Sequence, residues 1–205
     1  MFLNAPEEND AARRLYESDR ESLGFVMNLS RLWARRPDFL DAFSNTRVLL
    51  TRHSKLAPRE LSVLVCATAG NLGDSYCALA WGARLASLSG EAAAAAVLAG
   101  LPHAALTARE QALMAWTRKV VKDPNGTSRA DVEALRSAGL SDDEIFEATA
   151  FVAMRLAFST VNDALGVAPD AELVERAQPQ VRASVTFGRA SAGELGVPST
   201  AMEGS

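Results

Sequence analysis

Residues 56–86 read LAPRELSVLVCATAGNLGDSYCALAWGARLA, and this stretch decides the fold. Pro58 stands where a helix can open freely, because its missing N–H is one that a first helical turn leaves unpaired anyway. Residues 61–67, Leu-Ser-Val-Leu-Val-Cys-Ala, are apolar on nearly every face, which predicts a buried helix. Asn71, Leu72 and Gly73 break the pattern, and a second helix is predicted from Asp74 through Cys77, Trp81 and Leu85 to about residue 88. So short a connection leaves the two helices little choice but to fold back on each other as an antiparallel pair.

Working outward, the three- and four-residue spacing of apolar positions continues almost throughout, and alternating runs of Val, Ile and Thr are missing. The fold class is therefore all-α. Helices are predicted over residues 7–22, 23–35 and 38–50, the third opening at Pro37. An alanine-rich helix starts at Glu91 and stops at Gly100, a residue suited to a left-handed C-terminal turn. Thr107 with Glu110 and Ser141 with Glu144 have the S/T-x-x-E spacing that caps a helix start. Between them lie a turn at residues 123–126 and a short helix over 128–138, stopped by Gly139. The segment 141–165 is expected to be the central helix, packed on the antiparallel pair. The segments Leu56-x-x-Arg59-Glu60 and Leu106-x-x-Arg109-Glu110 echo each other at two helix starts. Residues 1–190 are expected to form a single helical domain with its core at 23–166, and the Ser-, Gly- and Ala-rich residues 191–205 a flexible tail.

The chain has 205 residues, 48% of them hydrophobic and 22% charged, which excludes a disordered or fibrous chain. Its net charge of −4 and scattered basic residues argue against nucleic acid as a partner. No apolar run approaches the roughly 20 residues needed to span a membrane. Two cysteines, Cys66 and Cys77, and no export signal predict a reduced, cytoplasmic chain. His53 and His103 lack metal-ligand spacing, so neither a metal site nor a cofactor is expected.

The 56–86 stretch resembles the alkyl hydroperoxidase D (AhpD) and carboxymuconolactone decarboxylase superfamily. The likeness extends upstream to residues 23–28 and 36–38 and downstream through residues 106–110 and 139–145 to 163–166. The resemblance implies a helical, homo-oligomeric protein. The redox branch of the family carries Glu, eleven residues, then Cys-x-x-Cys-x-x-x-His, in which the second Cys attacks peroxide, the first resolves, and Glu and His relay protons. Here Asp74 stands at the first cysteine position, Cys77 keeps the second, and Trp81 replaces the His. Glu60 lies fourteen residues before Asp74 where the pattern has twelve, which suggests an insertion in the turn 70–73 or a displaced Glu. The two-cysteine cycle therefore cannot run by the family's route.

What remains is one candidate thiol. Cys77 in the first turn of its helix would have its pKa lowered by the helix dipole and raised by Asp74. Arg84, two turns on, could offset Asp74. Asp74 also reads as an N-cap, Glu60 as an acidic first-turn residue, Cys66 as core, and Tyr76 and Trp81 as core or interface aromatics. The candidate catalytic residues are Cys77, Glu60 and Asp74, and the candidate pocket residues Tyr76, Trp81 and Arg84. The leading expectation is a one-cysteine, thiol-dependent peroxidase that reduces a small hydroperoxide and is regenerated by an external thiol reductant. Two alternatives stand beside it: a lyase or isomerase of the decarboxylase type using Glu60 and Asp74, and a non-catalytic helical oligomer.

Overall fold

The structure, a computed structural model, describes residues 1–7 and 9–191. Eleven α-helices and one short 3-10 turn account for the regular structure among these residues, with no strand. At the centre lies α4 (Pro58–Leu72), opened by Pro58 and buried along its length from Ser62 to Ala69. Gly73 ends it in the left-handed conformation, φ 78°, with its N–H bonded to the Ala69 carbonyl at 2.9 Å. The break comes later than the sequence suggested, since Asn71 and Leu72 remain helical and only Gly73 supplies the left-handed turn. Residues 70–73 form no separate loop: α4 continues to Leu72 and Gly73 caps it.

Four helices pack on α4: α5 (Ser75–Ser89), α6 (Glu91–Ala99), α7 (Ala108–Lys122) and α9 (Asp142–Ala164). Its face toward α5 and α6 joins a cluster that includes Val63, Cys66, Leu85, Val97 and Leu98, and its other face joins Leu64 and Val65 to Leu113, Phe151 and Val152. Gly70 lets α6 approach: a Cβ there would lie 2.1 Å from the Leu98 carbonyl oxygen. The long α9 packs on α4 as expected and on α7 as well, and it reaches α5 through side chains. α8 (Arg129–Ser137) closes the side of α7 and α9.

The N-terminal third departs most from expectation. α1 (Asp10–Leu23) ends at Gly24, φ 86°, and α2 (Asn28–Trp33) starts only after an extended step, because the turn at Gly24 interrupts what periodicity read as continuous helix over 23–35. α3 (Pro37–Arg52) opens on Pro37 as predicted, and none of its residues is fully buried. Two short helices, α10 (Ala171–Arg176) and α11 (Pro179–Ser184), follow where the composition changes. Val181 of α11 is wholly buried against Gly82, where a Cβ would meet the Val181 side chain at 2.7 Å. The tail expected over 191–205 lies outside the described residues except for Ser191.

The two echoing segments meet in space. Arg59 pairs with Glu110 at 2.6 Å and Arg109 with Glu60 at 2.8 Å, so each segment supplies the counter-ion of the other. Arg109 also binds Glu144 at 2.9 Å. All three glutamates sit at the third position of their helices and accept the N-cap N–H of α4, α7 and α9, each at 2.8 Å. The starts of the three core helices are thereby fastened to one another.

Candidate active site around Cys77

α5 is capped by Asp74, whose Oδ1 accepts the Cys77 N–H at 2.9 Å. Aspartate is among the best capping residues, and this bond fixes Cys77 as the third residue of the helix. Asp74 is completely buried, and its Oδ2 has no hydrogen-bond partner. Cys77 is itself only 4% exposed.

The Sγ of Cys77 accepts a hydrogen bond from Arg155 Nη2 at 3.0 Å, and Ser159 Oγ lies 3.9 Å away. Arg155 and Ser159 are one turn apart on α9 and so share a face. Arg155 is the one buried basic residue among those described, and no carboxylate pairs with it. Its guanidinium lies over the rings of Trp81, 5.6 Å from the centroid, and Phe158, 5.1 Å away. Its Nε is buried and unpartnered. Neither Arg155 nor Ser159 was singled out from sequence. The available signal was the lone charge in the apolar run 148–158 of a helix expected to be central.

Burial pushes the Cys77 thiol up to about 12; Arg155 pulls it down, and the charge of Asp74 pushes it up. The group is therefore a thiol at rest. The opposition foreseen between dipole and Asp74 is dominated by desolvation, and the compensating cation is Arg155 instead of Arg84. Arg84 stacks on the outer side of the site, 5.2 Å from the Trp81 centroid.

The other candidates separate. Tyr76 donates to Asp170 Oδ2 at 2.5 Å, and Asp170 Oδ1 accepts the Asn28 N–H at 2.9 Å, so this tyrosine ties α5 to the start of α2. Glu60 stands at the opposite end of α4 from the Asp74 turn, about 18 Å of helix away at 1.5 Å per residue. Its carboxylate is committed to the Ala57 N–H and Arg109. The structure does not bring it to Cys77. Cys66 is completely buried within the same cluster as Cys77, and burial raises its thiol far above the ordinary range. Two cavities of about 290 and 300 Å³ open at the start of α5 beneath residues 185–191, and Cys77 lines neither. No group of acids, histidines and cysteines among the described residues could hold a metal ion.

No protein-family model matches the sequence, and no curated protein matches it either. Solved structures do. A peroxidase-related protein with an AhpD core from Ralstonia eutropha JMP134 superposes with a TM-score of 0.74 at 26% identity, covering 84% of this chain and 93% of that one. The chain is AhpD-like. A peroxidase-related protein from Silicibacter sp. TM1040 gives a TM-score of 0.73 at 24% identity, with the same coverage of each chain. The fold also recurs in the debrominase Bmp8, whose cysteine-to-alanine variant in complex with 2,3,4-tribromopyrrole superposes at 0.68 with 16% identity over 85% of this chain and 95% of that one. The all-helical architecture read from the sequence is thus the AhpD-like one, and no helix of this AhpD-like chain is long and apolar enough, among the described residues, to cross a membrane.

Proposed function

We propose that this protein is a one-cysteine thiol oxidoreductase that reduces small hydroperoxides at Cys77. The observation that carries the reading is the Arg155 guanidinium, buried without a carboxylate partner and bonded to Cys77 Sγ at 3.0 Å. A buried cation is costly unless an anion is present for at least part of a cycle, and a thiolate at Sγ would provide it. The likeness to the Ralstonia peroxidase-related protein, at 26% identity, supports the same class of chemistry.

The thiol proton moves to Asp74, whose unpartnered Oδ2 has a lone pair free, and Arg155 holds the sulfur as thiolate. The sulfur attacks the hydroperoxide: an S–O bond forms as the O–O bond breaks, and the alkoxide leaves with the proton as an alcohol. Cys77 is oxidised by two electrons to the sulfenic acid. One external thiol then condenses with it, releasing water and forming a mixed disulfide. A second thiol displaces Cys77 and departs as the reductant's disulfide. Trp81, in the place of the family's histidine, offers no proton-transfer group, so Asp74 is the local acid–base residue. The lyase reading loses its support because Glu60 and Asp74 sit at opposite ends of α4 and Glu60 is held by the Ala57 N–H and the ion pair to Arg109.

Treatment with cumene hydroperoxide in the presence of dimedone tests the proposal. Mass spectrometry is expected to find a dimedone adduct on the Cys77 peptide approaching one per chain, no adduct on Cys66, and none in a Cys77→Ser variant. A Cys77 thiol that stays unlabelled while peroxide is in excess would overturn it and move the weight to a non-catalytic role.

A further inference from the structure

Asp163 is an acid that the mechanism above leaves unused. It stands on α9 two turns beyond Arg155 and one beyond Ser159, and residues at this four-residue spacing share a helix face. The first two reach the Cys77 sulfur, Arg155 at 3.0 Å and Ser159 through its Oγ at 3.9 Å. The third lines the cavity of about 300 Å³ at the start of α5, together with Gly73, Gly188 and Arg189. One face of α9 thus runs from the buried thiol to a space open to water. The half-buried carboxylate of Asp163 enters no ion pair or hydrogen bond among the described residues. Arg189, its neighbour in the cavity wall, donates instead to the Asp163 backbone carbonyl at 3.1 Å and lies over Phe2, 4.6 Å from the ring centroid.

The reductive half of the cycle needs protons that Asp74 does not hold, because the one it takes from the thiol leaves with the alcohol. When the first external thiolate forms its S–S bond with the sulfenic acid, the oxygen departs as water and takes up one proton. When the second attacks the outer sulfur of the mixed disulfide, that S–S bond breaks with its electron pair on Cys77, and the thiolate takes up another. The external thiols shed their protons into solvent, so both must travel inward to a residue only 4% exposed. We propose that Asp163 carries these protons in from the cavity and that Ser159 Oγ passes them to the sulfur. A hydroxyl suits the middle place, since it accepts on one side and donates on the other. Cβ atoms four residues apart on a helix lie about 5–6 Å apart, a gap that one water closes. Burial, then the charge of Asp74, holds the Asp163 carboxyl up to about 6, with Arg189 pulling the other way. These are the charged groups that face it from the start of α5 and from the closing segment, and Arg155 stands two turns away on α9 itself. An acid of that strength gives and regains a proton readily near neutral pH. The route rests on the one-cysteine reading for its place in the cycle. Asp163 touches no reacting atom and acts through Ser159, so it is a positioning residue.

The test needs no peroxide. Methyl methanethiosulfonate places a methylthio group on Cys77 of the Cys66→Ala protein, dithiothreitol removes it, and mass spectrometry follows the return of the thiol. Asp163→Asn and Ser159→Ala are each expected to slow that return roughly tenfold, and the double variant no further, as suits two members of one route. Asp163→Glu is expected to keep most of the parent rate. Asp163→Ala leaves room in the cavity, and added formate is expected to restore its rate in proportion to concentration. Per dithiothreitol thiolate, the parent rate is expected to fall as pH rises through about 6, a break missing from Asp163→Asn. Circular dichroism checks that each variant is folded. A parent-like rate in Asp163→Asn, or a slowed Asp163→Ala that formate does not speed, overturns the route. Because the methylthio adduct bypasses the peroxide, formate rescue upholds the route even if the dimedone experiment fails.

Discussion

Replacing Glu60 by Ala separates a structural from a catalytic role for the family's glutamate position. Two bonds are lost: the cap on the Ala57 N–H and the ion pair to Arg109 Nε, both at 2.8 Å. A lost helix cap costs about 1 kcal/mol. A charge-assisted bond between well-buried partners is worth about 1.5–3 kcal/mol, discounted toward the lower end because the Arg109 side chain is 27% exposed and keeps Glu144. The sum is about 2–3 kcal/mol, which for a chain of this size lowers Tm by roughly 4–12 °C at 2–4 °C per kcal/mol. Glu60→Gln keeps an acceptor for the cap and should lose about half as much. Thermal unfolding followed by circular dichroism measures the loss, and the dimedone assay at room temperature measures the chemistry. The expected result is a marked drop in Tm with the rate of Cys77 oxidation within about twofold of the parent. A Tm unchanged within a degree, with the oxidation rate down tenfold or more, would refute the reasoning and return Glu60 to the site.

Asp74→Asn should make Cys77 titrate at lower pH than the parent, because the charge of the carboxylate raises the thiol; the pH dependence of iodoacetamide alkylation reads this, and an upward or absent shift would contradict it. Cys66→Ala should leave peroxide reactivity intact while costing roughly 1 kcal/mol in denaturant unfolding, since the side chain is wholly buried. Asp163 is raised to about 6 by burial and by the charge of Asp74, so the folded chain holds a proton that the unfolded chain releases near pH 4. Its contribution to stability is therefore present at low pH and declines as pH rises from about 4 to 6. Asp163→Asn should remove that component from a pH series of Tm values. Finally, sedimentation at micromolar concentration should find a homo-oligomer, for which α3, with no fully buried residue and with Phe39, Val48 and Leu49 exposed, is the natural contact face; a compact monomer would contradict this.

The helices were legible where periodicity and punctuation agreed. Pro58, Gly73, Gly100 and the two S/T-x-x-E caps stand at or within a residue of helix ends, because each acts through local backbone chemistry. The fusion of Gly24 into a single helix over 23–35 failed where one left-handed glycine overrode an apolar pattern on both sides of it. α10 and α11 were hidden by composition, since their short lengths carry only one or two apolar anchors such as Val181. Of the site, Asp74 and Cys77 were readable because they are neighbours along one helix. Arg155 was not, since its partner is 78 residues away and only tertiary packing joins them. Glu60 is the opposite case: the predicted helix from Pro58 already sets it at the far end from Asp74, and only the family resemblance drew it into the site.

The closure of α5 by the far end of the chain has a bearing on synthesis. Ser75 Oγ donates to the Arg189 carbonyl at 2.8 Å and accepts the Arg189 N–H at 3.0 Å, while Gly188, at φ 74°, passes so near that a Cβ would strike the Gly73 carbonyl oxygen at 2.4 Å. A ribosome therefore delivers the roof of this helix start more than a hundred residues after Ser75. Until residues 185–191 emerge, the first turn of α5 has no cover on that side, and Ser75 Oγ lacks both of its backbone partners. The order in which the polypeptide is made is thus also the order in which this helix start is closed.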